Sequence, residues 1–175
     1  MKQAVTTPAT GPTLGQQIID ESIADRRWAP EAEGRQAWLG FLQSHAAILR
    51  LLDAELRREA GLPLVDFDVL IQLALADGGE LRMTDLARRT LVSRSGMTRR
   101  VAELEREGLV SRCSATGDGR SVRASLTPAG EDVLRRAVPV HLRGIDRHFL
   151  GRLTPGEVSG LHAVVTKLQV DCDFG

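Results

Sequence analysis

Apolar residues in this chain first fall into a helical rhythm. Between residues 35 and 60, Trp38, Phe41, Leu42, His45, Ile48, Leu49, Leu52 and Leu56 recur at three- and four-residue steps and draw one stripe along a long helix. Gly61 stands where a C-cap glycine belongs, and Pro63 follows it. Residues 65–76 repeat the pattern with Phe67, Leu70, Ile71 and Leu75, and Asp77-Gly78-Gly79 closes it. Leu81-Arg82-Met83 suggests a short strand, after which Thr84 is placed to cap a brief helix ending near Arg89. Ahead of all this, residues 1–12 read as a flexible tail, and residues 13–28 as a short helix burying Ile18, Ile19, Ile23 and Trp28. Pro30 and Gly34 separate that helix from the next.

The stretch from Ser93 to Glu107 predicts a helix of different character. Ser93 is a good N-cap, and Met97, Val101 and Leu104 make a thin inner stripe. At about 100° per residue, Ser95, Thr98, Arg99, Ala102 and Arg106 lie opposite. The first half is lined with Ser, Thr and Arg, and the second carries Glu103, Glu105 and Glu107. Only the N-terminal half therefore suits a nucleic-acid groove, since backbone N–H groups there also favour phosphate. Gly108 ends the helix, and the period then changes: Leu109–Cys113 and Val122–Leu126 read as strands. Between them Thr116-Gly117-Asp118-Gly119-Arg120 is turn chemistry.

Thr127-Pro128 opens another helix, running to about Leu150, in which Pro139 and Gly144 predict a bend. Thr154 and Glu157 form a capping box, with Leu153 and Val158 as a hydrophobic staple, for a last helix carrying Val158, Leu161, Val164, Val165 and Leu168. A short helix, a turn, a longer helix and two strands make a helix-turn-helix with a wing. The expected fold is mainly α (α+β): a winged helix-turn-helix with a small β-hairpin wing, flanked by long N- and C-terminal helices of the kind that pair with another chain. The expected organisation is an N-terminal extension over 1–34, a helical region over 35–62 and 128–170, and a winged-helix region over 63–127.

Composition changes this picture in three places. The apolar runs are too short to span a membrane, and the N-terminus lacks the charged and apolar regions of a secretory signal. Two cysteines, Cys113 and Cys172, have no metal spacing, so a reducing cytoplasm is expected. Formal net charge is zero, yet Arg82 to Arg123 holds ten arginines against five acids, which makes that segment +5 and the remainder −5. Such asymmetry is the footprint of a DNA-facing module. No Gly-rich phosphate loop, metal cluster or Ser/Cys–His–acid arrangement stands out, so neither an enzyme nor a cofactor is expected. His141 and His148 read as surface or interface residues, Cys113 as a small buried apolar group, and Asp118 as a turn residue with a local ion pair.

Four segments resemble the multiple-antibiotic-resistance regulator (MarR) family of bacterial transcription factors: LVSRSGMTRRVAELEREGLVSR, DGRSVRASLT, LTPAGEDVL and LTPGEVSGL. The order of elements agrees from about residue 35 to residue 168, with residues 1–34 outside it. The resemblance implies a homodimer, with 35–62 and 128–170 as its helical dimerisation region, reading double-stranded DNA as a repressor at a pseudo-palindromic operator. It puts Ser93, Arg94, Ser95, Thr98 and Arg99 at the major groove, Thr84 on phosphate, and Arg120 in the minor groove with Asp118 orienting it. Arg88, Arg89 and Arg112 read two ways, as contacts to the DNA backbone or as charges that keep the surface soluble. Arg100 stands where the family often has an apolar residue, which would tilt the helix or add a phosphate contact. The peroxide-sensing relatives carry a reactive Cys early in the first long helix, and this chain has none between residues 1 and 112. Trp38, His45 and Phe67, with Phe41, read two ways: as core and dimer packing, or as the lining of a pocket for a small-molecule effector. The other function class left open is a winged-helix protein–protein adaptor that does not bind DNA.

Overall fold

The computed structural model describes residues 32–90, 94–114 and 122–169, together with Leu14, Gln17 and Ile18. Most of the helix predicted over 13–28, the tail over 1–12, and Cys172 lie outside these residues. Two compact units divide the chain, Met1–Ala46 and Ala47–Gly175. The first helix, α1 (Glu33–Ala60), begins in the first unit and continues into the second. Its opening turns stack Trp38 on Phe41 and Phe41 on His45, with ring centroids 6.3 Å and 6.2 Å apart.

In the second unit follow α2 (Leu64–Ala74), a turn of 3-10 helix (Asp77–Gly79), β1 (Glu80–Arg82), α3 (Met83–Arg89) and α4 (Arg94–Arg106). Then come β2 (Val110–Ser114), β3 (Val122–Leu126), α5 (Pro128–His148), a second 3-10 turn (Leu150–Arg152) and α6 (Pro155–Gln169). The strands form one antiparallel sheet in the order β1-β3-β2. Ala124 on the central strand faces both neighbours, Leu81 and Arg112, and is fully buried.

One core joins these elements. Leu56 of α1, Val69, Leu70 and Leu73 of α2, Leu86 of α3, Met97, Val101 and Leu104 of α4 and Val110 of β2 all lose essentially their whole surface to it. Each such side chain contributes about 1.5–3 kcal/mol of apolar burial. The helix ends are made as the sequence predicts. Gly108 takes φ 75°, and the Leu109 N–H donates to the Leu104 carbonyl at 2.9 Å, closing α4 and aiming the chain into β2. The Thr127 hydroxyl accepts from the Gly130 N–H at 3.0 Å at the start of α5. Thr154 and Glu157 exchange the hydrogen bonds of a capping box, at 2.7 Å and 3.4 Å.

Several expectations are corrected. Thr84 does not cap α3: pairing of Arg82 with Arg123 keeps the chain extended to that point, the helix starts at Met83, and Thr84 falls inside the first turn. The first wing strand starts at Val110 because Leu109 completes the α4 cap. Helix α5 runs unbroken through Pro139, which is exposed, so the carbonyl it leaves unpaired, that of Arg135, can face water. Gly144 is there for close packing: a Cβ would come within 2.6 Å of Leu52 and 2.9 Å of the Glu55 carboxylate. Cys113 is exposed, because strand alternation turns it to the face opposite Val110. His148 is largely buried, with its Nε2 3.0 Å from Glu55, and His141 is half-buried against Phe67, ring centroids 4.4 Å apart.

Gly130 is a second close approach, since a Cβ there would fall onto the backbone carbonyl of Leu109. We therefore expect Gly130→Ala to cost about 1–3 kcal/mol in urea unfolding, because backbone must move to admit the methyl group. Gly156→Ala, with nothing within 4 Å of the added carbon, is the control and gains about 0.5–1 kcal/mol. Equal effects of the two substitutions would refute the packing argument.

Candidate nucleic-acid interface

Helices α3 and α4 are fastened from one side only. Leu86 anchors α3, and Met97, Val101 and Leu104 anchor α4, all at 0–1% exposure. No other described residue of α4 is buried. Thr98 and Arg99 are exposed on its first half, and Arg106 on its second. Among the described residues no acid pairs with Arg99. Thr84 is exposed near the start of α3, its hydroxyl 3.5 Å from the Asp85 carboxylate. Arg94 and Ser95 lie in the first turn of α4. Ser93, Asp118 and Arg120 fall outside the described residues.

The glutamates of the second half are occupied. The Arg112 side chain donates from Nε to Glu105 at 2.7 Å, and its Nη2 and backbone N–H meet the same carboxylate. That hydrogen-bonded pairing holds the Glu105 carboxyl below the usual carboxylate range. Arg123 meets Glu80 at 2.6 Å and ties β3 to β1 at the base of the wing. Arg100 is pinned by two carboxylates, Asp66 of α2 and Glu103 of its own helix, each at 2.5 Å. Two arginines read from the sequence as DNA ligands, Arg100 and Arg112, are thus engaged inside the protein.

Asp66 is the residue that sequence reasoning missed. It is 6% exposed, and burial pushes its carboxyl up to about 6, with Arg100 opposing and Glu107 and Glu103 adding to the rise. The available signal was an acid inside the apolar run of α2, directly before Phe67.

A cavity of about 580 Å³ lies within the second unit, walled by Leu49 of α1, Leu64, Phe67, Asp68 and Ile71 of α2, Arg89 of α3, and Val138, His141 and Leu142 of α5. Of the predicted pocket residues it takes in Phe67, whereas Trp38 and His45 belong to the exposed stack on the first part of α1. Burial raises the Asp68 carboxyl and lowers the His141 imidazole, so both lean toward their neutral forms. No cluster of metal-ligating side chains occurs among the described residues. None of the helices described is long and apolar enough to cross a membrane.

A three-stranded sheet behind a helix pair, with an arginine-bearing helix outermost, defines a winged helix-turn-helix. The sequence pattern of the MarR family matches residues 60–121. The chain is 32% identical over 134 residues to an HTH-type transcriptional repressor of Mycobacterium tuberculosis, an alignment that takes in 76% of this chain and 94% of the relative. A MarR family transcriptional regulator from Streptomyces coelicolor, solved in complex with DNA, superposes with a TM-score of 0.75 at 32% identity, over 83% of this chain and 91% of that one. A second Streptomyces coelicolor member, AbsC, gives 0.74 at 28% identity, over 81% and 95%. The chain belongs to the MarR family of transcriptional regulators.

Proposed function

We propose that the chain is a sequence-specific repressor that binds a pseudo-palindromic duplex operator as a homodimer. The observation that carries this reading is the division of α4, with Met97, Val101 and Leu104 sunk in the core while Thr98 and Arg99 face outward. A helix held so presents its first half as a ridge for the major groove. Ser93, Arg94, Ser95, Thr98 and Arg99 read base edges and adjacent phosphates, and Thr84 meets phosphate. Arg120, oriented by Asp118, enters the minor groove, whose enhanced negative potential attracts a lone arginine. Arg100 and Arg112 hold the reading unit together from within. The relatives support the reading, one named a repressor and another solved with DNA bound.

The homodimer is supported by apolar side chains that the chain itself leaves uncovered. Trp38, Leu39, Phe41 and Leu42 on the first part of α1 are 42–55% exposed. In the other unit, Leu142, Val164 and Leu168 are 53–62% exposed, and none of residues 155–168 of α6 is buried. Such surface marks association, and two-fold pairing matches an operator whose half-sites lie one helical turn apart. The cavity reaches from Leu142 of α5 to Arg89 of α3, so a small, mainly apolar effector lodged there would press on the helix-turn-helix and release DNA. A winged-helix protein–protein adaptor that does not bind DNA is the competing reading. Affinity for duplex DNA that falls with salt separates the two, since neutralised phosphates set the slope.

The test is selection of a binding site from random duplexes followed by gel shifts. Arg99→Ala and Arg120→Ala are each expected to cost about 1–3 kcal/mol of operator binding with circular dichroism unchanged. Undiminished binding of both variants at matched salt would sink the proposed interface. For the dimer, Val164→Glu with Leu168→Glu charges one face of α6 and is expected to yield monomers by light scattering. A dimer surviving both charges would remove α6 from the interface.

A further inference from the structure

We propose that Asp66 is a positioning residue for the recognition helix: by gripping Arg100 from α2 it fixes the rotation of α4 about its axis, and that grip makes operator recognition weaken in acid. The inference rests on the DNA-binding reading above and adds to it a regulation of the same surface.

The geometry argues it first. Three apolar anchors tie α4 to the core, and apolar contact is non-directional. Met97, Val101 and Leu104 set which face of the helix meets the core, and small rolls about that face are what a polar grip can still narrow. A charge that stands off the axis of α4, paired with a carboxylate on another helix, fixes a second point of attachment and so opposes that roll. The Arg100 Nε stands 2.5 Å from the Asp66 Oδ1, and its Nη1 stands 2.5 Å from Glu103. Asp66 lies on a different helix and is buried, so it is the fixed end of the pair, while Glu103 rides on α4 and moves with it. Arg99 is the next residue back and points outward. A roll that frees Arg100 from Asp66 swings Arg99 by the same angle, away from any base edge it reads.

The character of the pair comes second. Although the Arg100 Nε is so close, the buried Oδ1 receives no well-directed hydrogen bond from it, so the grip is a contact of charges. It vanishes when Asp66 takes up a proton. Burial raises this carboxyl to about 6, within reach of ordinary conditions. The charged groups that bear on it are Arg100, Glu103 and Glu107 from α4 and Arg57 from α1. Arg57 is itself paired with Asp53 at 2.6 Å, and Glu103 is taken by Arg100. No other cation in this group is close enough to replace Arg100 as the partner of Asp66.

The sign of the linkage separates positioning from mere stability. The folded carboxyl stands above its ordinary value of 3.8, so what this group contributes to stability is fully present below that value and is lost as pH rises through about 6. The ionised Asp66 is therefore a cost to the fold at neutral pH. A loss of discrimination in acid that comes without a loss of stability is therefore the mark of positioning.

The experiment uses the full chain, an operator fragment selected from random duplexes, and a scrambled duplex of equal length. For Asp66→Asn we expect the operator-to-scrambled affinity ratio to fall about tenfold, the worth of one misplaced base contact, while thermal stability at neutral pH is equal or higher. The wild-type ratio should fall toward the variant's as pH drops through about 6, and the variant's ratio should not change over that interval. Arg100→Met should copy the loss, and the double variant should be no worse than either. In the free protein, amide exchange along α4 should quicken in Asp66→Asn at neutral pH, with the core strands unaffected. Wild-type binding with an unaltered ratio in Asp66→Asn overturns the proposal, as does a loss that follows general destabilisation. Should the wild-type chain bind no duplex at any salt, the DNA-binding reading fails instead, and the exchange comparison still decides whether Asp66 holds α4.

Discussion

The burial of three side chains on α4 is the constraint on which the reading surface depends. Among the described side chains of this thirteen-residue helix, Met97, Val101 and Leu104 are the ones buried in the core. Together they are worth roughly 5–9 kcal/mol of apolar transfer, enough to seat the helix and too little to specify its pose. Polar devices at its margins supply the rest. Gly108 stops the helix at a defined residue, Arg112 of β2 ties Glu105 to the wing strand, and Asp66 takes Arg100 from the far side. The described polar side chains of α4 therefore divide into an exposed set and a set spent on holding the helix in place.

A comparable division governs the frame. Helices α1 and α5 meet across Gly144, where the missing side chain lets Leu52 and Glu55 approach the α5 backbone. Glu55 then accepts from Arg147 at 2.7 Å and lies 3.0 Å from His148, while Glu59 takes Arg143 at 3.0 Å. The hydrogen bond to His148, with help from Arg147, holds the Glu55 carboxyl below its ordinary range. These pairs are directional where the apolar seam is not, so α5 keeps one register on α1. The cavity opens between the same two helices and α2, with Arg89 of α3 at its edge.

Most of the architecture was legible in the sequence because periodicity and punctuation agreed. The stripe of α1, the Thr127 and Thr154 caps, the Gly108 stop and the change of period at β2 each appear within a residue or two of where the pattern puts them. What could not be read was long-range and polar. Asp66 and Arg100 are thirty-four positions apart, and Glu55 and His148 ninety-three, so no local spacing announces either pair. Cys113 was misplaced for a related reason. A strand residue of apolar type reads as buried until the register shows which face it takes, and here Arg112 and Cys113 alternate so that the cysteine turns outward.

Charge counting shows the same limit. The segment from Arg82 to Arg123 is strongly basic, and that excess drew attention to it. Yet Arg100, Arg112 and Arg123 are each committed to a carboxylate at close range. Arg82, Arg89, Arg99 and Arg106 are exposed, and among the described residues no acid holds them. Phosphate neutralisation counts cations that can reach the backbone, so the salt dependence of binding would follow this second group and the wing rather than the sum of arginines. Removing an exposed arginine and removing a committed one are then different operations. The first subtracts a contact with the partner. The second breaks an ion pair that the protein makes with itself and leaves the exposed cations untouched.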